Sequence, residues 1–295
     1  MHSCEQLRGK ADYPERKFFM VSPENDRHQH WRLEDINFDG IDPALVHDDE
    51  ILFYMLASAS FVEIMSELYS SNLIEHFRGN VEVVTWLEKD WQREEVQHGR
   101  ALKTYVQKAW PEFNWDVANE AFQAEYTASC TAQQLEPSHA LEMVARCVVE
   151  TGTTTLYNAL CDYVKEPVLL SLLTHIKADE TNHYLHFRQY FEAYNDSERQ
   201  GAWAVIAATW RRLNVIRAED TYIAFKHAHA CRHPGKQFCE SEWRRYNKML
   251  GAHARIHYPY MMAFKMLSKP IPLSALNKRL LKWPLIGLAR FVLSR

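Results

Sequence analysis

Two six-residue stretches decide the fold class of this chain: Glu94-Glu95-Val96-Gln97-His98-Gly99 and Ala178-Asp179-Glu180-Thr181-Asn182-His183. Each contains the pattern Glu-x-x-His within a long proline-free run that predicts a helix. Residues three apart on a helix share one face, so the glutamate and the histidine of each pattern can bind one metal ion together. The two stretches therefore predict a metal site between two helices.

Each of these helices follows a predicted helix with one glutamate on an otherwise small or apolar face. Glu63 lies near Ala59 and Ser66, and Glu150 lies near Cys147. A carboxylate on such a face is costly unless something compensates its charge. Two glutamates of this kind, each upstream of a Glu-x-x-His pattern, are difficult to explain as surface residues.

The spacing of the four glutamates repeats a two-helix unit. Glu63 precedes Glu95 by 32 residues, and Glu150 precedes Glu180 by 30. Four carboxylates and two imidazoles on four helices form the ligand set of a di-iron or di-manganese bundle, in which four negative charges balance two dications. Oxygen and nitrogen donors suit iron or manganese. We therefore expect two iron ions, with manganese as an alternative in one position, and a protein that activates oxygen.

A third match, Glu136-Pro137-Ser138-His139, is not expected to bind metal. With 25 glutamates and 15 histidines in the chain, a chance match is unsurprising. Pro137 and Ser138 mark a helix start, so the two side chains cannot share a helical face. Glu67, one turn after Glu63, is the alternative for the first ligand.

The chain is predicted to be all-α, because its proline-free runs are long and it has only nine glycines in 295 residues. Helices are expected at 48–77, 81–110, 115–132, 138–165, 167–194, 197–230, 240–267 and 273–293. Two antiparallel helix pairs joined by a crossover predict a ferritin-like four-helix bundle with additional C-terminal helices. The expected divisions are an irregular arm without recognisable chemistry (1–46), the di-iron bundle (47–195), packing helices (196–268) and a basic amphipathic tail (269–295).

The two stretches resemble the Glu-Glu-x-x-His-Gly and Ala-Asp-Glu-x-x-His blocks of the soluble acyl-[acyl-carrier-protein] desaturase family. The resemblance covers roughly residues 48–195 and is weak outside them. It implies a homodimer and two bridging carboxylates, Glu95 and Glu180. The implied iron ligands are Glu63, Glu95, His98, Glu150, Glu180 and His183.

The resemblance also assigns two residues beside the ligands. Asp179 would accept a hydrogen bond from a ligand imidazole, which is the usual way such a ring is oriented. Thr153, one turn after Glu150, matches a family threonine next to the oxygen site and could relay protons. Simple packing is the alternative role for Thr153.

The ligand set and the resemblance together predict an oxidoreductase that acts on a fatty-acyl chain carried by acyl carrier protein or coenzyme A, with desaturation as the first choice. Electrons would come from a ferredoxin and its reductase, because no Gly-x-Gly-x-x-Gly fingerprint is present. Hydroxylation, chain cleavage and N-oxygenation fit the same ligands. The N-oxygenases of related fold add a third histidine where this chain has Ile176, and neither His175 nor His186 is expected to replace it.

Two further classes of protein remain open at this stage. One is iron storage or peroxide detoxification of the ferritin or rubrerythrin kind. The other is a non-catalytic helical scaffold whose basic tail binds a partner. Metal analysis separates the scaffold from the rest, and oxygen consumption that depends on an acyl substrate separates an oxygenase from iron storage.

The charged residues are unevenly distributed. From Trp243 to the C-terminus the chain has eleven Lys/Arg and no Asp/Glu, so the preceding residues carry all of the net negative charge. This basic region predicts contact with an acidic carrier protein, with the ferredoxin or with an anionic membrane surface. A solvated surface is the alternative, and no nucleic-acid partner is expected.

Cysteine usage and the N-terminal sequence predict where the protein resides. The six cysteines show no Cys-x-x-Cys spacing, which favours reduced thiols. Residues 1–17 are polar and lack an apolar signal core. We expect a cytoplasmic protein, peripheral to a membrane if the basic tail binds one.

Overall fold

This computed structural model describes residues 30–128, 135–218 and 220–293, and every regular element in these ranges is helical, which confirms the all-α prediction. Three short 3-10 turns come first: Leu33–Asp35, Phe38–Gly40 and Pro43–Leu45. The α-helices follow in the order α1 Glu50–Ile64, α2 Ser66–His76, α3 Val81–Trp86, α4 Gln92–Ala109, α5 Trp115–Tyr126, α6 His139–Tyr163, α7 Pro167–Glu198, α8 Ala202–Ala218, α9 Asp220–Arg232, α10 Glu240–His257, α11 Tyr260–Ser268 and α12 Ala275–Leu293.

Four helices form the centre of the molecule. Helix α6 packs against α7 along most of its length, α1 packs against α4, and α4 contacts α7. The connection from α6 to α7 is only three residues long, which makes these two helices antiparallel neighbours. Helices α8 and α9 cover the outside, on α6 and on α1 respectively.

The starts of the central helices follow their sequence signals. Asp49 accepts a hydrogen bond from the backbone N–H of Leu52 at the start of α1, and Ser138 caps α6 in the same way. Pro167 is the first residue of α7, where its missing N–H costs little. The buried carboxylate of Glu166 completes this cap by accepting two backbone N–H groups.

Three predicted helices are interrupted within the described residues, and the predicted 197–230 helix corresponds to α8 and α9, on either side of position 219, which is not described. The stretch 48–77 becomes α1 and α2, which meet at Met65. The stretch 240–267 becomes α10 and α11, because Tyr258 precedes Pro259 and is held in an extended conformation. A π-helical turn, Leu87–Trp91, separates α3 from α4 just before Glu95. The predicted end of the 115–132 helix lies partly outside the described residues; α5 ends at Tyr126.

Two apolar clusters lie at the two ends of the central bundle, and a polar layer separates them. On α7, Leu173 and Ile176 belong to one cluster, whereas Tyr184 and Phe187 belong to the other. Glu180 lies between them in sequence and is completely buried. Helix α6 has the same order, with Cys147 in one cluster, Tyr157 in the other and Glu150 between them.

One stretch of the described chain, Glu50–Leu68, is long and apolar enough to cross a membrane, judged by length and composition alone. It includes α1, which packs against α4, and 61% of its apolar window is buried inside the protein. The core helix of a globular domain has the same composition, so this stretch is weak support for a membrane span.

The closest approach of α1 and α4 depends on Gly99. A Cβ atom at this position would lie 2.4 Å from the backbone nitrogen of Ile64 and 2.7 Å from its Cα. Both neighbouring atoms are backbone, so the helices themselves would have to move apart. Because His98 is adjacent, this contact also fixes the depth of the ligand candidates on α4.

We predict that Gly99→Ala lowers the free energy of unfolding by about 1–3 kcal/mol, the usual cost of overpacking a core. The control is Gly152→Ala on α6, where a Cβ would meet nothing within 4 Å. That change should raise the free energy by about 0.5–1 kcal/mol through helix propensity. Urea unfolding measures both values. Equal stability of Gly99→Ala and wild type would contradict the close approach.

Candidate metal centre

The structure brings all six predicted ligands together between α1, α4, α6 and α7. None of the six is more than 4% exposed. These residues form two groups of four. Within each group, every residue offers one potential ligand atom, and these four atoms lie within 4.8 Å of one another. The two groups are Glu63, Glu95, His98 and Glu180, and Glu95, Glu150, Glu180 and His183.

The two groups overlap in Glu95 and Glu180. Each group otherwise has one glutamate and one histidine of its own, so the arrangement is that of two adjacent sites with two shared carboxylates. The centroids of the His98 and His183 rings are 6.0 Å apart. This geometry could hold two metal ions with one imidazole each.

The two histidines are oriented by carboxylates from the opposite helix. His98 Nε2 on α4 lies 2.8 Å from Asp179 Oδ2 on α7. His183 Nε2 on α7 lies 2.8 Å from Glu94 Oε2 on α4. When Nε2–H donates to these carboxylates, the neutral ring has its lone pair on Nδ1. Asp179 therefore occupies the position that was predicted for it.

The Nδ1 atoms face the shared carboxylates. His98 Nδ1 is 3.2 Å from Glu180 Oε1, and His183 Nδ1 is 3.2 Å from Glu95 Oε1. Nevertheless, both Nδ1 atoms, together with Glu180 Oε1 and Glu150 Oε2, are buried without a hydrogen-bond partner among the described residues. Buried polar atoms are rarely left in this state. Nitrogen and oxygen donors converging without hydrogen bonds fit a metal site.

Burial and repulsion between carboxylates raise the pKa of Glu63 and of Glu150, the two glutamates that belong to only one donor group. Burial raises the pKa of Glu63 well above its usual value, and the adjacent Glu95 and Glu180 raise it further. Burial also raises the pKa of Glu150 well above its usual value; His183 opposes the shift, whereas Glu180 adds to it. Without a counter-charge both carboxyls therefore favour the protonated form.

The pKa values of the two imidazoles are raised, which favours their protonated, positively charged form. Burial lowers the pKa of His98, but its hydrogen bond to Asp179 and the nearby charge of Glu180 outweigh burial and raise the pKa well above its usual value. Burial likewise opposes charge on His183, yet Glu150 and the other nearby carboxylates raise its pKa well above its usual value. Metal ions must therefore displace protons from this centre when they bind.

Two hydroxyl groups reach the carboxylates of the centre. The hydroxyl of Thr153 donates to Glu180 Oε2 and is also 3.2 Å from the carbonyl oxygen of Glu150. The phenol of Tyr157 donates to Glu63 Oε1 at 2.5 Å and is fully buried. Thr153 thus lies beside the candidate ligands, as the resemblance implied, whereas the contact of Tyr157 with Glu63 was not predicted.

The described end of the N-terminal arm contacts both outer carboxylates. His30 Nδ1 lies 2.9 Å from Glu94 Oε1, and the indole N–H of Trp31 donates to Asp179 Oδ2 at 2.7 Å. The Trp31 ring also stacks parallel to the His98 ring, with centroids 6.2 Å apart. From the sequence alone no chemistry was recognisable in this arm, and these contacts of His30 and Trp31 are visible only in the structure. An irregular segment has no periodicity from which their orientation could be inferred.

The alternative first ligand, Glu67, and the third Glu-x-x-His match lie outside the two donor groups. Glu67 is exposed and lines a mixed-charge surface cavity of about 500 Å³ that also contains Arg32 and Arg93. Glu136 of the third Glu-x-x-His match binds Arg211 in a bidentate ion pair with distances of 2.9 and 2.6 Å. Its partner in the pattern, His139, is directed instead to the carbonyl oxygen of His76.

Among the described residues, no additional histidine belongs to either donor group. Ile176 is fully buried and belongs to an apolar cluster. The ring of His175 stacks on Trp31, with centroids 5.5 Å apart. The ring of His186 stacks on Trp86 at 4.9 Å. This agrees with the sequence argument against a third histidine ligand.

Comparisons with models of protein families, with curated proteins and with solved structures give no match for this chain.

The overlap of the two groups predicts how metal content responds to mutation. Ala at a shared carboxylate, Glu95 or Glu180, should abolish binding of both ions. Glu63→Ala should remove one ion and leave the position that Glu150 and His183 serve. The measurement is metal per chain by mass spectrometry after loading with Fe²⁺ or Mn²⁺ and desalting.

The matched control is Glu67→Ala, which removes an exposed carboxylate one turn from Glu63 and should keep both ions. Wild-type metal content in Glu95→Ala or Glu180→Ala would refute the shared roles. Circular dichroism of each metal-free variant separates the loss of ligands from a loss of fold.

The pKa shifts predict that the metal-free protein loses stability as pH rises. Glu63 and Glu150 have a raised folded-state pKa, so their ionisation opposes folding above about pH 4.5, the usual value for a glutamate. His98 and His183 stabilise the fold below their unfolded pKa of about 6.5 and lose that contribution as pH rises through the raised folded value. Both pairs therefore act in the same direction.

Thermal unfolding of chelator-treated protein between about pH 5.5 and 8.5 measures this effect, because this window lies above the unfolded-state pKa of glutamate and extends to both sides of that of histidine, about 6.5. We expect Tm to fall with pH in the metal-free protein. Metal-loaded protein should show a flatter or opposite trend, since metal binding strengthens as ligands lose protons. A Tm that rises with pH in the metal-free protein would contradict the assigned protonation.

Proposed function

We propose that this chain is a ferritin-like four-helix bundle that holds two iron ions and activates oxygen for the oxidation of a fatty-acyl chain. The observation that carries the proposal is the overlap of two buried donor groups in Glu95 and Glu180. A single structural metal needs only one donor group. Two adjacent sites with shared carboxylates are the arrangement of di-iron carboxylate bundles.

The chemistry of the donors supports iron. The set has only carboxylate oxygen and imidazole nitrogen, which suit Fe²⁺, with Mn²⁺ as the alternative in one position. Four carboxylates balance two dications, so a reduced centre has no net charge and its burial costs less free energy than that of the carboxylates alone. Cys147 is buried on the same helix as Glu150 but belongs to neither donor group.

Bound iron would supply the reduction of oxygen and the oxidising power toward a C–H bond. The residues of the chain hold the site in shape. Asp179 and Glu94 fix the two imidazoles, and Tyr157 supports Glu63 through its phenol. Thr153 places a hydroxyl on the shared carboxylate Glu180, where it can pass a proton toward the centre.

The centre lies between two buried apolar clusters. Apolar clusters on either side include Leu173 and Ile176 at one end and Phe187 at the other. The motif resemblance supports an acyl chain delivered on acyl carrier protein or coenzyme A. The substrate oxidation supplies two electrons and the reduction of oxygen to water requires four, so an external ferredoxin and reductase would provide the other two.

The remaining oxygenase reactions share these ligands. Hydroxylation and chain cleavage need the same iron pair and differ in how the substrate is held. N-oxygenation is less well supported, because the two donor groups found within the described part of the chain contain only His98 and His183, and position 176 is a buried isoleucine. Iron storage would require no organic substrate, and the assay below separates it from an oxygenase.

The test is a reaction of iron-loaded protein with ferredoxin, reductase, NADPH and a panel of acyl thioesters. We expect oxygen consumption that depends on one acyl substrate and a product that has lost one pair of hydrogen atoms. Mass spectrometry of the released acyl chain identifies desaturation, hydroxylation or cleavage. Glu95→Ala should be inactive, and Glu67→Ala should match wild type.

The outcomes are distinct. Iron oxidation with accumulation of ferric ions and no acyl dependence would indicate iron storage and contradict an acyl oxidoreductase. If the protein binds two ions and oxidises an amine but no acyl thioester, the metal centre stands and the proposed acyl substrate is wrong. Absence of bound iron in correctly folded wild type would overturn the proposal.

A further inference from the structure

Helix α12 is attached to the rest of the protein by one narrow stripe. Among its described side chains only Ile286 is buried, and Lys278, Lys282 and Ala289 beside it are partly buried. These residues follow a spacing of three or four and so lie on one helical face. The face that α12 presents to α10 and α11 is therefore short of apolar residues and carries two lysines.

The opposite face of α12 is apolar and exposed. A surface helix normally buries its apolar side against the protein, and here the order is reversed. A large contiguous patch of this kind marks an interaction site. The side chains concerned are 43–66% exposed and comprise Leu276, Leu280, Leu281, Trp283, Leu285, Leu288 and Phe291.

The cations of α12 lie along the edges of this patch or behind it. Lys278 donates to the carbonyl oxygen of Lys269 at 3.3 Å, and the guanidinium of Arg290 lies 5.0 Å from the centre of the Tyr260 ring. Lys282 lies 4.7 Å from the centre of the Trp283 ring. No carboxylate is available nearby in sequence, since residues 243–295 contain no Asp or Glu.

We propose that α12 docks the protein on an anionic phospholipid bilayer. The apolar face would enter the boundary between headgroups and acyl chains, while Arg279 and Arg290 at its edges would meet lipid phosphates. Long basic side chains reach the headgroup level from a helix that lies flat on a membrane. Trp283 lies next to these arginines on the helical wheel, at the apolar–polar boundary that tryptophan favours.

Two other occupants fit this face less well. An acidic carrier protein would require the cations to face outward, whereas Lys278 and Lys282 face the protein and the outward surface is apolar. A second copy of the chain would bring two sets of cations together without carboxylates to pair with them. The proposal does not depend on the metal centre, because α12 carries none of its ligands.

The test is co-sedimentation of the full-length protein with large unilamellar vesicles. We expect binding to vesicles of phosphatidylcholine and phosphatidylglycerol at a ratio of about 3:1 to be at least tenfold tighter than to phosphatidylcholine alone, and weaker at high salt. The double variant Leu280→Asp with Leu288→Asp should bind at least tenfold more weakly. The matched control, Val81→Asp with Val117→Asp, places the same charges at exposed apolar positions on α3 and α5 and should bind like wild type.

Circular dichroism and Tm establish that both double variants are folded, and Leu280→Gln with Leu288→Gln replaces the first variant if its Tm falls. Lack of binding to anionic vesicles, or equal binding by the α12 variant and wild type, would overturn the proposal. The proposal would also be overturned if the apolar face of α12 joins two copies of the chain. In that case analytical ultracentrifugation would show a dimer for the wild type and a monomer for the α12 variant. Binding to an acidic acyl carrier protein in place of vesicles would also overturn it.

Discussion

Six ionisable side chains are buried where α1, α4, α6 and α7 meet, and the arrangement of the molecule follows from the cost of keeping them there. An isolated buried carboxylate costs more free energy than a folded domain has in reserve, which is about 5–15 kcal/mol. The four glutamates can be tolerated only if protons or cations neutralise them. Protons can neutralise Glu63 and Glu150, because the pKa values of both carboxyls are raised. Two bound metal ions would neutralise the four glutamates instead.

The central helices α4 and α7 depend on each other. Each supplies a Glu-x-x-His pair, and each also supplies the carboxylate that orients the histidine of the other: Asp179 for His98 and Glu94 for His183. A slide of one helix along the other would break both hydrogen bonds at once. The apolar clusters at either end pack around the same helices, and the close contact at Gly99 fixes α4 against α1. Trp31 then joins the arm to this network through Asp179.

The sequence predicted the parts of the structure that have a regular spacing. The ligands could be found because Glu-x-x-His marks one helical face, and the helix starts could be found from Asp49, Ser138 and Pro167. The contacts of His30 and Trp31 could not be found, because they belong to an irregular segment and reach residues far along the chain. The break at Pro259 was missed although proline disfavours a helical residue before it.

Helix α12 shows a second limit of prediction from the sequence. Its amphipathic pattern is evident in the sequence, but a pattern alone does not tell which face meets the protein. In the structure Ile286 faces inward and the broad apolar side faces outward, opposite to the usual arrangement of a surface helix. The π-helical turn Leu87–Trp91 is similar, since no local signal distinguishes it from the α-helix on either side.

The most direct measurement is anomalous diffraction at the iron absorption edge from crystals of the iron-loaded protein. Two shared carboxylates predict two peaks about 3.5–4 Å apart, both enclosed by the six buried side chains, with Glu95 and Glu180 between them. One peak, or peaks only at the surface, would contradict the dinuclear centre.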